Sequence, residues 1–163
     1  MNVIDNLLPN DYLRELQEMF MAEDFPWFYT KGIGNSNDND FFFSHLFFNE
    51  DKQITSSAFE KIKPIIYFIE HELKNVPTDP MRIKANCYPK QPTNVKHGTH
   101  IDSPRPHTVA LFSVNTCNGY TVVDGEQYQS VENRVIVFDG RIPHYSVNQT
   151  DTDLRININF NLV

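Results

Sequence analysis

From Leu154 to Leu162 the chain alternates strictly: Leu154, Ile156, Ile158, Phe160 and Leu162 take one parity, and Arg155, Asn157, Asn159 and Asn161 the other. A two-residue period predicts a β-strand with one face on a core and the other in polar surroundings. Five large apolar side chains need cover. The same rhythm runs through Met81, Ile83, Ala85 and Cys87, with Arg82, Lys84, Asn86 and Tyr88 between them. Further strands are expected near residues 95–102, 108–114, 119–124 and 134–139, punctuated by Asn118-Gly119, Asp124-Gly125 and Asp139-Gly140. Many short strands with no helix between them predict a β-sandwich or jelly roll for this half.

The first half keeps a helical period. Leu13, Leu16 and Phe20, with Tyr12 and Met19 beside them, share one stripe of a helix expected from Asp11 to about Glu23, begun at Pro9-Asn10 and stopped before Pro26. Phe59, Ile62, Ile66, Ile69 and Leu73 recur at helical spacing to about Asn75, behind a capping-box pattern, Ser57-Ala-Phe-Glu60. Pro64 inside that run predicts a kink or a broken first turn. These helices are the available cover for the apolar face of the last strand. Lys31 to Asp40, rich in Gly, Asn and Asp, reads as a loop. The runs Phe41-Phe42-Phe43 and Phe47-Phe48 are expected in strands or irregular structure. The chain reads as one domain, 1–163, mostly β, with a helical and irregular support region over 1–80 and a β core over 81–163.

Composition narrows the function. The 163 residues are 40% hydrophobic and 21% charged, as in an ordinary soluble domain, and the net charge of -7 argues against a phosphate-backbone partner, so nucleic acid is not expected. Cys87 and Cys117 have neither zinc spacing nor a disulfide framework, so reduced, buried thiols are expected. No signal peptide is visible and no apolar run approaches about 18 residues, so no membrane span and a cytoplasmic location are expected. Oligomeric state is left open.

Three residues carry candidate metal chemistry. His100 and Asp102 are two apart, so an extended strand would send both side chains from one face, and His144 returns later in the β-rich half. Two imidazoles and a carboxylate, with positions left open, suit Fe(II) and O2, whereas a structural zinc site wants four ligands. Arg155, on the polar parity of the last strand, needs an anionic partner, a protein carboxylate or a ligand. His45, His71, His97 and His107 read as surface or core histidines. Trp27-Phe28-Tyr29 reads as core, or as the wall of a substrate entrance.

The text Cys87-Tyr88-Pro89, His100-Ile101-Asp102, Asn118-Gly119-Tyr120-Thr121, Phe138-Asp139-Gly140, His144 and Arg155 resembles the catalytic domain of the Fe(II)- and 2-oxoglutarate-dependent oxygenases, in particular the prolyl-hydroxylase-like branch. The resemblance covers residues from about 81 to 163. It implies a double-stranded β-helix (jelly roll) with the early helices packed on the larger sheet. It implies that His100, Asp102 and His144 bind iron and that Arg155 pairs with the C5 carboxylate of 2-oxoglutarate, for which its planar fork is suited. It implies that Tyr88 contacts the cosubstrate, with Asn86 on the same strand face and Thr121 in the same pocket. Asn157 stands where some relatives carry a serine, and Asn118-Gly119 replaces a Gly-Gly pair. The implied activity is a dioxygenase reaction, usually hydroxylation of a small-molecule or peptidyl substrate, releasing succinate and CO2, with ascorbate as an added reductant. Loops 31–40 and 89–99 would wall the pocket, and residues 89–97 would serve as a lid. The competing class is a β-helix that binds a small acid or metal without turnover. Nucleobase oxidation is disfavoured by the net charge.

Overall fold

The computed structural model describes residues 1–32 and 40–163. Its strands are β1 (Asn2–Ile4), β2 (Phe28–Lys31), β3 (Phe41–Phe48), β4 (Pro80–Pro89), β5 (Thr108–Ser113), β6 (Tyr120–Val123), β7 (Glu126–Gln129), β8 (Arg134–Asp139), β9 (His144–Val147) and β10 (Leu154–Leu162). Seven of them form the larger sheet in the order β1-β8-β5-β10-β4-β3-β2, and β7-β6-β9 form the smaller one. Every pairing is antiparallel. This is the jelly roll expected from the strand pattern.

Helices α1 (Asn10–Met21), α2 (Phe59–Ile62) and α3 (Pro64–Leu73) cover the larger sheet. Leu13, Leu16 and Phe20 of α1 and Ile62, Ile65 and Ile69 join Ile156, Ile158, Phe160 and Leu162 of β10 in one buried cluster. Burying a large aliphatic or aromatic side chain contributes roughly 1.5–3 kcal/mol, so this interface is the main source of stability. Pro64 breaks the second helical run as expected: it opens α3 at the first turn, where its missing N–H costs nothing. The capping box does not form. Neither helix has a side-chain cap, and Ser56 Oγ instead accepts the Ala58 N–H at 3.1 Å.

Three expectations change. Residues 95–102 do not form a strand; two isolated bridges, Lys96 to Val147 and His100 to His144, fasten the segment along β9. His100 and His144 exchange a reciprocal pair of backbone hydrogen bonds and His97 N–H reaches Ser146 O, but these contacts do not run on as a continuous ladder. The first 80 residues supply three strands as well as helices: β1 pairs β8 at one edge of the larger sheet, and β3 with β2 extends the other. Finally, β7 follows β6 directly through the Asp124-Gly125 turn, both residues at positive φ (51° and 82°). The 31–40 loop lies mostly outside the described residues. Among the described residues no helix is long and apolar enough to cross a membrane.

Candidate metal centre

The inner face of the larger sheet is a set of rungs between β4 and β10. Tyr88 pairs Arg155, Asn86 pairs Asn157, Lys84 pairs Asn159, and Arg82 pairs Asn161. The apolar residues between them face the helices, so this parity is left to line the interior. A cavity of about 290 Å³ opens over these rungs, between the two sheets. His100, Asp102 and His144 line it together with Asn86, Tyr88, Thr121 and Asn157.

One donor atom each from His100, Asp102 and His144 lies within 4.8 Å of the others. His100 Nε2 is 3.8 Å and His144 Nε2 3.9 Å from Asp102 Oδ1. The rings are placed by their other nitrogens: His100 Nδ1 meets the Gly98 carbonyl at 3.1 Å, and His144 Nδ1 the Ile142 carbonyl at 3.0 Å. A carbonyl only accepts, so each Nδ1 carries the proton and each Nε2 turns its lone pair inward. Asp102 is fixed the same way. Asn159 and Asn161 donate to Oδ2 at 2.8 and 2.9 Å, leaving Oδ1 toward the histidines. Burial by itself raises the Asp102 pKa, but these two donors, with His144 and Arg82 nearby, hold it below the usual carboxylate range. Burial is also the largest influence on His144, lowering its pKa and favouring the neutral imidazole a metal requires.

Arg155 is buried at 2% exposure and takes part in none of the ion pairs among the described residues. Its Nε donates to Ser130 Oγ at 2.7 Å, Nη2 donates to Thr121 Oγ1 at 2.9 Å, and its guanidinium lies 5.4 Å from the Tyr88 ring centre. Nη1 has no partner among the described residues. A buried guanidinium met only by hydroxyls and an aromatic face leaves charge and a donor unspent. Thr121 and Tyr88, which flank it, both line the cavity. Of the two partners the sequence left open, a protein carboxylate is not found among the described residues. Gly119 makes room for the arginine: a Cβ there would lie 2.9 Å from Arg155 Cδ and 3.1 Å from the Val147 carbonyl. Asn86 donates to Asn157 Oδ1 at 2.8 Å, so those two amides brace one another on the cavity wall.

Three further histidines make other contacts. His45 bridges Pro26 O and Ser56 Oγ in the helix-side core. His97 is buried, bonded to Ser146 Oγ at 2.7 Å and stacked 5.7 Å from Tyr88. His107 packs on Gly140 with Nδ1 at the Arg105 carbonyl. Trp27 packs with Phe20 and Phe25, while Phe28 and Tyr29 are exposed on edge strand β2. Arg82 and Lys84, which line the cavity, and Ser130, which holds Arg155, join the candidate site without belonging to any of the sequence motifs. The first two were legible as the same parity as Asn86 and Tyr88; nothing local marked Ser130.

No protein-family model matches the chain, and no curated protein matches it in sequence. Solved structures do match its fold. A 2OG-Fe(II) oxygenase family oxidoreductase from Burkholderia pseudomallei superposes at a TM-score of 0.75 and 14% identity, over 98% of this chain and 83% of that one. A Pseudomonas putida prolyl-4-hydroxylase gives 0.64 at 16% identity, over 99% and 92% of the two chains. A Trichoplax adhaerens prolyl hydroxylase, solved with a hypoxia inducible factor peptide fragment, gives 0.64 at 15%, over 99% and 82%. The chain has the jelly-roll fold of the 2OG-Fe(II) oxygenases.

Proposed function

We propose that the protein is an Fe(II)- and 2-oxoglutarate-dependent oxygenase, the whole chain acting as one domain, and that it hydroxylates a small molecule or a peptidyl residue. One observation carries this reading: His100, Asp102 and His144 bring three donor atoms within 4.8 Å of one another, each side chain oriented by a hydrogen bond to its other polar atom. The donor set is the facial two-histidine, one-carboxylate type that suits Fe(II) with open positions. With iron and 2-oxoglutarate bound, O2 is spent in forming succinate, CO2 and an oxidised substrate, the organic chemistry belonging to the cofactor.

The chain's part is positional. Gly98 and Ile142 carbonyls keep both imidazoles in the metal-binding tautomer. Asn159 and Asn161 keep Asp102 ionised and single-faced. Arg155 offers its unspent Nη1 to the far carboxylate of the cosubstrate, with Thr121 and Tyr88 flanking it and Asn86 and Asn157 bracing the wall. From Arg155 to Asn159, beside Asp102, is four strand residues, about 13 Å, a span that the arginine side chain and a five-carbon diacid can fill. A peptidyl substrate takes support from the peptide bound to the Trichoplax fold relative. Ascorbate would serve to return oxidised iron to the ferrous state.

Succinate release from 2-oxoglutarate, with and without added substrate candidates, tests the reading. His100→Ala and His144→Ala are each expected to abolish it. Undiminished turnover in either folded variant would sink the assignment. Metal and 2-oxoglutarate binding with no succinate under any condition would place the protein among non-catalytic binding modules.

A further inference from the structure

The cavity wall carries more positive charge than the proposed reaction uses. Lys84 and Arg82 share the inward parity of β4 with Asn86 and Tyr88, and face Asn159 and Asn161, the two residues that hold Asp102. Both line the cavity. Arg82 Nη2 is 3.6 Å from Asp102 Oδ1, and its buried Nε has no partner among the described residues. Lys84 takes part in none of the ion pairs among the described residues; its ammonium lies 5.1 Å from the centre of the Phe42 ring. Asp102 is the single carboxylate among the described lining residues. Counting Arg155, which lies behind Tyr88 and Thr121 farther along the same β10 face, three cations stand against one anion. Fe(II) adds two positive charges and 2-oxoglutarate two negative ones, so a surplus of two positive charges survives loading. Buried charge is stable only when paired, and two adjacent cations on one wall are completed by an anion.

We propose that the substrate of this centre is a small organic acid, whose carboxylate or phosphate is held by Lys84 and Arg82 beside the metal. This deepens the oxygenase reading and rests on it. The size of the cavity points the same way. About 290 Å³ lies at the low end for ligand pockets, and the cosubstrate takes part of it. Arg82 supplies the fork that meets two oxygens at once, and Lys84 a point charge on a flexible stem. The C–H bond offered for oxidation then lies within a few bonds of the anionic group.

Protein loaded with Mn(II) and 2-oxoglutarate is titrated by calorimetry with amino acids, 2-hydroxy acids, aromatic acids and sugar phosphates, each beside its carboxamide or unphosphorylated parent. At least one acid is expected to bind about tenfold more tightly than its neutral partner. Whether that acid is a carboxylate or a phosphate identifies the source of the charge. Lys84→Met is expected to bring acid and neutral partner to within about twofold, and Lys84→Arg to keep the preference. Because Lys84 is held unpaired for a ligand, Lys84→Met should also raise the melting temperature of the ligand-free protein. Neutral partners binding as well as the acids, or no acid binding at all, overturns the proposal. So does a Lys84→Met variant that keeps the preference, or that loses 2-oxoglutarate affinity instead. Failure of the wild-type protein to bind Mn(II) and 2-oxoglutarate overturns the oxygenase reading itself.

Discussion

Arg155 concentrates the tension between stability and function in one side chain. It is buried, its partners are two hydroxyls and a ring face, and one guanidinium nitrogen is unspent. Arg155→Met is expected to weaken 2-oxoglutarate binding about 100-fold, since truncating one partner of a buried charge pair costs about 2–5 kcal/mol; calorimetry with Mn(II) present checks this. Gly119→Ala drives a methyl toward Arg155 Cδ, Val147 O and Gln149 N, at 2.9, 3.1 and 3.2 Å. It should destabilise by about 1–3 kcal/mol in urea unfolding and disturb cosubstrate binding with it. Lys84 titrates in an informative range. Burial, then Arg82, lowers its pKa from 10.5 to about 8. A base with a depressed folded-state pKa costs stability below that value, and the cost fades between about pH 8 and 10.5, where the unfolded chain holds more protons. In metal-free protein Lys84→Met should therefore exceed wild type by up to about 3 kcal/mol at pH 7, with the gap closing toward pH 10.5. A gap independent of pH would contradict the burial argument.

At the scale of elements, β10 organises the molecule. One parity enters the helix-covered core; the other supplies Asn157 and Asn159 to the cavity wall, Arg155 to the hydroxyls of Ser130 and Thr121, and Asn161 to Asp102. Packing and chemistry are thus separated by the pleat alone. Ile158, fully buried in that core, predicts a loss of about 2–5 kcal/mol for Ile158→Ala by chemical unfolding. The helix pattern was readable because Leu13, Leu16 and Phe20 obey a single local period. The segment at 95–102 was not. Its alternation resembles a strand, yet both of its bridges are to β9, which arrives more than forty residues later. His100 and Asp102 converge through the bridge to His144 and through Asn159 and Asn161, not through a continuous pleat.

At the scale of the whole molecule, distant segments close the structure. The N-terminal arm is tied to the start of β8 by Asn133, whose side chain accepts the Leu8 N–H and donates to the Leu8 carbonyl, both at 2.8 Å. Asn133 also sits at φ 62°, which asparagine tolerates better than alanine. Asn133→Ala should lower stability by about 2–4 kcal/mol, from two lost buried hydrogen bonds and a disfavoured backbone; thermal unfolding reads it. The stretch 89–97, expected as a lid, is fastened to the segments after β9 and before β10: Lys90 N–H reaches Asp153 O, Gln91 N–H reaches Gln149 O, and Asn148 meets Val95. By itself the sequence determined what local rules govern: the two periods, the break at Pro64 and the parity of β10. Tertiary structure decided what needs partners far along the chain. It oriented each imidazole through a carbonyl, turned one Asp102 oxygen inward, left Arg155 without a carboxylate among the described residues, and set Arg82 and Lys84 beside the candidate triad. Hydrogen-bond direction and charge balance are properties of surroundings, and surroundings exist only once the sheets have closed.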